Sequence, residues 1–227
     1  MGGVNRFDGA VWYENVSKLN VMIVGVGATG SYAALFASRL GIKSITLIDP
    51  DKVEFHNGFS QLFQKSDIGQ NKVEAIKKLL FNFTGVTGIN NATARVENMS
   101  DYWFNNQNVI FSTTDSMVAR KYTFEKAKEL PECLFLDSRI SAELWEVYCV
   151  PMNDKEKIQR YEETLFGENQ GSTGACNYQQ SSHSAAGAAI KMTELITNWE
   201  TNKLIDEDYL PFSVKQDIRN QIYECNY

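Results

Sequence analysis

Gly25, Gly27 and Gly30 stand in the order G-x-G-x-x-G directly after the apolar run "VMIV", with Ala28 and Thr29 completing the turn. Glycine permits the tight turn and lets backbone N–H groups at a helix N-terminus approach a phosphate. Asp49 closes the next apolar run, "SITLID", 19 residues after Gly30, where a carboxylate can accept ribose hydroxyls. The pattern reads as a nucleotide site and leaves open whether the nucleotide is a redox dinucleotide or ATP. The bland alternative is a glycine turn that only packs a helix on a strand.

Residues further along bear on that choice. A redox dinucleotide has no scissile phosphate and needs neither a cation nor a metal-binding carboxylate beside it, whereas breaking ATP calls for both. Lys72, in "DIGQNKVEAIKKLL", is placed to neutralise a polyphosphate, and Asp115, in "FSTTDSMVARK" at the end of an apolar run, to hold Mg²⁺. Taken singly, a lysine on a helix is a solvated face, and an aspartate after a strand is a helix N-cap. Both fall at the ends of expected strands or the starts of expected helices, the rim where open α/β sheets bind ligands.

The elements that must position them follow from periodicity. Apolar runs at 21–26, 44–49, 108–113 and 133–138 alternate with "GSYAALFASRL", "NKVEAIKKLLFNF" and "SMVARKYTFEKAKEL", whose apolar residues have helical spacing. This is the pattern of a parallel sheet covered on both faces. "AELWEVYCVP" (142–151) adds a strand with little room for a crossover before it, hence an antiparallel one. Residues 152–182 are polar and glycine-bearing and read as a long surface loop. "SHSAAGAAIKMTELITNWE" restarts a helix with small residues that suit close packing, and the tail "DYLPFSVKQDIRNQIYECNY" reads as a short closing helix. The expectation is one Rossmann-like, doubly wound α/β domain over residues 1–227.

A net charge of -6 with pI near 5.1 argues against a nucleic-acid binder, and 43% hydrophobic with 22% charged residues is the balance of a soluble globule. No apolar run reaches the roughly 18–20 residues needed to cross a bilayer. No signal peptide is evident, so a cytoplasmic protein is expected. The four cysteines, Cys133, Cys149, Cys176 and Cys225, include no C-x-x-C pair, which argues against a zinc site and a disulfide scaffold. Cys133 and Cys149 lie in strand-like runs and are expected to be buried. His56 and His183 have no triad partner or third ligand in view and read as structural, and Trp145 and Tyr148 as core or dimer contacts.

The order G-x-G-A-T-G, D-x-D-x-V-x-x-x-N, D-I-G-x-x-K-V-E and T-T-D-S-x-x-x-R resembles the ubiquitin-activating superfamily of ThiF, MoeB and HesA type, over roughly residues 5–200. "NRFDGAVWYEN" is most similar to the opening of the tRNA threonylcarbamoyladenosine dehydratase branch, and "LFGEN…C" (165–176) resembles the MoeB type. The resemblance implies an adenylyltransferase that uses ATP and Mg²⁺ to activate a carboxylate. The acceptor it implies is most often the C-terminal glycine of a ubiquitin-like or sulfur-carrier protein. A peptide C-terminus is another acceptor, and tRNA enters only by analogy with the dehydratase branch. Carried over, Asp49 binds the ribose, Asp51, Asn57 and Lys72 line the phosphates, and Asp115 holds Mg²⁺. Arg6 reaches the partner's nucleotide across a homodimer, and Arg120, in the helix after Asp115, is structural. Cys176, with Gly187 following it 11 residues on, matches a MoeB-type spacing and is a candidate nucleophile for the activated acyl group.

One departure stands out. The family follows its asparagine with an arginine that contacts the phosphates. Here the text is "NGFSQ", with Phe59 or Ser60 in that place and one residue missing shortly after. Neither can supply a charged fork, and Lys65 is the nearby cation that could compensate. The departure motivates a second reading, a nucleotide-binding but catalytically silent partner subunit of an activating complex. A third is an NAD-dependent oxidoreductase, although no His, Tyr or Lys constellation for hydride transfer is evident.

Overall fold

The computed structural model describes residues 7, 9–165, 181–207 and 209–227. Eight strands form one sheet in the order β3-β2-β1-β4-β5-β6-β7-β8. They are β1 (Asn20–Val24), β2 (Ser44–Ile48), β3 (Ile89–Ala92), β4 (Val109–Ser112), β5 (Leu134–Ser141), β6 (Leu144–Pro151), β7 (Ser213–Asp217) and β8 (Ile222–Asn226). The first five strands pair in parallel, and β5 through β8 pair antiparallel.

The helices are α1 (Tyr13–Val16), α2 (Ala28–Arg39), α3 (Lys72–Thr84), α4 (Met117–Lys128), α5 (Lys155–Glu163) and α6 (Ser182–Ile205). β1 buries Val21 and Ile23 in one core and Met22 and Val24 in the other. Alternation between two buried faces is why the parallel strands read as continuous apolar runs. One core takes Ala33, Ala34 and Ala37 of α2, Val73, Ile76 and Leu80 of α3, and Ala188, Met192 and Ile196 of α6. The other takes Phe124 of α4 and Tyr161 of α5.

The small residues at the start of α6 let it come down close on the sheet. A Cβ at Gly187 would lie 2.7 Å from Nε1 of the buried Trp145 on β6. Cys133 and Cys149 are buried, and Trp145 and Tyr148 belong to the cores on opposite faces.

β1 lies between β2 and β4, so the chain runs outward through β2 and β3 and then crosses back to the other side. The loops after β1 and β4 therefore part in opposite directions, opening the crevice where doubly wound sheets bind ligands. The Gly25–Gly30 turn follows β1, Asp49 and Asp51 follow β2, and Asp115 follows β4.

Two expectations are corrected. The tail is a β-hairpin, not a closing helix. β7 pairs antiparallel with β6 on one side and β8 on the other, and Asp217 closes the turn between β7 and β8 by accepting the Asn220 N–H at 3.0 Å. The polar stretch from 152 also contains a helix, α5. Its Asp154 cap accepts the Lys157 N–H at 3.0 Å, and only a narrow side is buried, through Tyr161, so its composition resembles a loop. Among the described residues, no helix is long and apolar enough to cross a membrane.

The Gly187 contact gives a direct check. Gly187→Ala is expected to lower stability by about 1–3 kcal/mol, because the new methyl displaces a buried indole. Urea unfolding followed by tryptophan fluorescence measures it, and an unchanged midpoint would contradict the packing.

Candidate functional site

The glycine turn is held from beneath by β4. Gly25 has φ +86°, and a Cβ there would come within 2.9 Å of the Thr113 carbonyl oxygen. A Cβ on Gly30 would overlap the Gly25 carbonyl, and Thr113 Oγ1 donates to that same oxygen at 2.5 Å. Gly27, by contrast, faces open space, with the nearest side-chain atoms those of Gln61 at 4.0 Å. Two glycines thus fit the turn to its neighbours, and the third keeps the mouth open over the N-terminus of α2. Ala28 and Thr29, both buried, form the first turn of that helix, whose leading N–H groups have no intrahelical acceptor.

Asp49 joins this turn to the next strand end. Its Oδ2 accepts the Val26 N–H and its Oδ1 the Asp51 N–H, both at 2.8 Å. Burial raises its pKa, opposed by the Lys72 charge and by these two backbone hydrogen bonds. Each carboxylate oxygen retains a further lone pair. Lys72, at the start of α3, is buried along its stem, and its Nζ lies 3.0 Å from Oδ2 of the exposed Asp51. Asn57 is buried and its Oδ1 accepts the Glu54 N–H at 2.8 Å, closing the 3₁₀ turn Phe55–Phe59. Here the asparagine shapes the loop.

That loop lies over the glycine turn, with the Leu62 N–H donating to Ser31 Oγ of α2 at 3.1 Å. Gln61, beside Gly27, carries a buried Oε1 with no hydrogen-bond partner. At the place of the family arginine, Phe59 is 74% exposed and Ser60 is half-buried, so neither brings charge to the turn. Lys65 is exposed and lines a surface groove with Phe55, Phe59 and Ile68.

Asp115 is exposed between Thr114 and Ser116, and Ser116 caps α4 by accepting the Ala119 N–H at 3.2 Å. Behind it is a cluster that sequence reasoning found only through Arg120. Arg120 Nη2 donates to the Thr114 carbonyl at 2.6 Å, and its Nη1 pairs with Oδ1 of Asp137, which is fully buried. Arg139 Nε donates to the other oxygen of Asp137 at 3.0 Å. The charges of "LDSR" within the buried strand "LFLDSRIS" were the available signal, since charges within an apolar run must be paired.

The residues present suit a nucleoside triphosphate with its metal. An open glycine cradle, an orphaned amide oxygen, a lysine and a carboxylate share one rim. Among the described residues no three His, Cys, Asp or Glu side chains cluster as a ready-made metal site. Asp115 alone would suit Mg²⁺, which takes one or two carboxylates and fills its sphere with substrate phosphates and water. Arg6 and Cys176 lie outside the described residues. His56 is exposed beside Glu54, with its Nδ1 at 3.4 Å, and His183 is exposed on α6, neither in the crevice.

Comparison with known proteins bears on the same residues. The ThiF family model matches residues 3–190. Ubiquitin-like modifier-activating enzyme 5 of Xenopus laevis is 41% identical over 70 residues, 31% of this chain and 18% of that protein. The Caenorhabditis elegans protein of that name is 39% identical over 82 residues, 36% of this chain and 18% of that one. These matches therefore span under a fifth of the relatives' length. Among solved structures, E. coli MccB with AMPCPP and MccA superposes with a TM-score of 0.73 at 16% identity, covering 99% of this chain and 72% of that one. PaaA superposes with a TM-score of 0.72 at 18% identity, covering 96% and 75%. At those identities the likeness shows the fold.

Asp49→Asn tests the turn without any nucleotide. The amide turns an N–H₂ toward one of two backbone donors, so stability is expected to fall by about 1–3 kcal/mol, less whatever relief comes from removing a buried charge. Chemical denaturation measures it, and a variant as stable as the wild-type chain would contradict the expected fall.

Proposed function

Because the chain belongs to the ThiF family, we propose that it is an ATP-dependent adenylyltransferase that activates a carboxylate. The observation that carries this reading is the company the glycine cradle keeps. Lys72 with Asp51 on one side and Asp115 on the other supply a cation and a hard oxygen ligand, which breaking a polyphosphate needs and a redox dinucleotide does not.

In this proposal the N-terminus of α2 and the turn from Gly25 to Gly30 bind the phosphates. Asp49 uses its remaining lone pairs for the ribose hydroxyls. Lys72, held out of solvent and aimed by Asp51, neutralises charge on the polyphosphate. Mg²⁺ on Asp115 would draw charge from the phosphate oxygens. An acceptor carboxylate oxygen then attacks the α-phosphorus, the bond from phosphorus to the bridging oxygen breaks, and pyrophosphate leaves with that electron pair. Arg6 of a second copy completes the site across a homodimer, and Cys176 is the thiolate that could take the acyl group from the adenylate, releasing AMP. The acceptor proposed is the C-terminal glycine of a ubiquitin-like or sulfur-carrier protein, in a soluble cytoplasmic setting, with residues 1–227 acting as one adenylation domain.

The departure at Phe59 and Ser60 favours one second reading, a nucleotide-binding subunit without its own chemistry. Pyrophosphate exchange separates the two. With a carboxylate-bearing acceptor, the active enzyme returns label from pyrophosphate to ATP, and the silent subunit does not. Arg6→Ala and Lys72→Ala chains are each expected to be inactive. Their mixture should recover about a quarter of wild-type exchange, the share of intact sites after random re-pairing of a two-fold dimer. No recovery from a mixture shown to re-pair would refute the trans role of Arg6.

A further inference from the structure

Asp137 is a carboxylate with no exposure in the middle of β5, paired in register with Ser112 at the end of β4. Two guanidiniums hold it, Arg120 on Oδ1 and Arg139 on Oδ2. Each guanidinium has a second task. Arg120 Nη2 fixes the Thr114 carbonyl, one residue before Asp115. Arg139 Nη2 donates to Thr164 Oγ1 at 2.8 Å, and its Nη1 to the Thr164 carbonyl at 3.3 Å, at the C-terminal end of α5.

The side of the cluster facing α5 is packed by aromatic rings. The Arg139 guanidinium carbon sits 4.5 Å from the centre of the Tyr148 ring and 5.8 Å from that of Tyr161. Such stacking holds a planar cation in one orientation while its edge makes the hydrogen bonds. Burial lowers the Arg120 pKa to about 10, with the Arg139 charge acting in the same direction and the Asp115 carboxylate opposing. Arg120 stays charged at neutral pH. Two cations and one anion leave the cluster a single positive charge in excess, directly behind the rim that carries Asp115.

Here the second guanidinium extends the chain of contacts to another element, and the first ends on the backbone of the loop that bears the proposed metal ligand. We propose that Asp137 and Arg139 are positioning residues, which together hold Arg120 on the Thr114 carbonyl and so fix Asp115 in place for the metal-bound nucleotide. The role is that of the outer partners that orient a ligating carboxylate in metal sites. It rests on the assignment of Asp115 to metal–nucleotide binding, but its first consequence, a fixed 113–117 loop, holds with no nucleotide present.

The test uses Arg139→Gln, which leaves the Asp137–Arg120 pair intact, and Arg139→Lys, which keeps the charge without the fork. In the nucleotide-free chain, amide hydrogen exchange over residues 113–117 is expected to quicken about tenfold in Arg139→Gln, with exchange in β1 unchanged. ATP affinity measured by calorimetry in Mg²⁺ should fall about tenfold, while affinity in EDTA stays within about twofold. In the Asp115→Ala background, Arg139→Gln should cause no further loss, because both changes act through the same carboxylate. Arg139→Lys should behave as Arg139→Gln does. Unchanged exchange at 113–117, an equal loss of affinity with and without Mg²⁺, additive losses in the double variant, or full rescue by lysine would each overturn the proposal. If the wild-type chain binds no ATP, the adenylation reading fails by itself, and the exchange comparison still decides whether Arg139 positions the loop.

Discussion

The carboxylate of Asp49 is the interaction on which the site depends. It is buried, and burying a charge is costly unless it is satisfied. Here the satisfaction comes from two backbone N–H groups, those of Val26 and Asp51, belonging to the segments that follow β1 and β2. Charge-assisted bonds of this type contribute about 1.5–3 kcal/mol each. They fix the spacing between the glycine turn and the Asp51–Lys72 pair, so the turn and the lysine beside it are set before any ligand arrives. Thr113 does the same work from β4, through the hydroxyl it sends to the Gly25 carbonyl. Three strand ends are thereby tied to one turn.

The remainder of the sheet supports that rim. The close approach of α6 to β6 at Gly187 and the two cores on either face keep the strand ends in register. On the far side of β4, the Arg120–Asp137–Arg139 cluster replaces apolar packing with paired charge at the place where the Asp115 loop leaves the sheet. A rim built from such contacts has little freedom to adapt, which suits pre-organised binding of a highly charged ligand. Phe59 is the exception, an exposed aromatic ring about where the family resemblance implies a guanidinium.

What could be read from the sequence divides along physical lines. Four of the five parallel strands were legible because burial on both faces writes a continuous apolar run, whereas the edge strand β3, in which only Ile89 is buried, was not, and the glycine turn was legible from its spacing. Lys72, Asp49 and Asp115 were expected at strand ends and helix starts, and the structure places them there; their roles belong to the proposal. The tail was misread because burial in β7 is confined to Ser213 and Val214 and β8 is exposed throughout, so neither strand writes an alternating pattern. α5 was hidden because Ile158 and Tyr161 are the only core-facing apolar residues in a nine-residue helix that is otherwise charged or polar. Asp137 and Arg139 escaped notice since a pairing between neighbouring strands and helices has no fixed sequence spacing. Asn57 also closes its own loop through Oδ1, a contact that its motif position did not announce.

The central claim is that this crevice holds ATP for cleavage rather than a dinucleotide for redox chemistry. Isothermal titration of the purified chain with ATP in Mg²⁺ and, separately, with NAD tests it most directly. The account predicts saturable binding of ATP that weakens when Mg²⁺ is removed, and no measurable heat from NAD. Binding of NAD with none of ATP would contradict it.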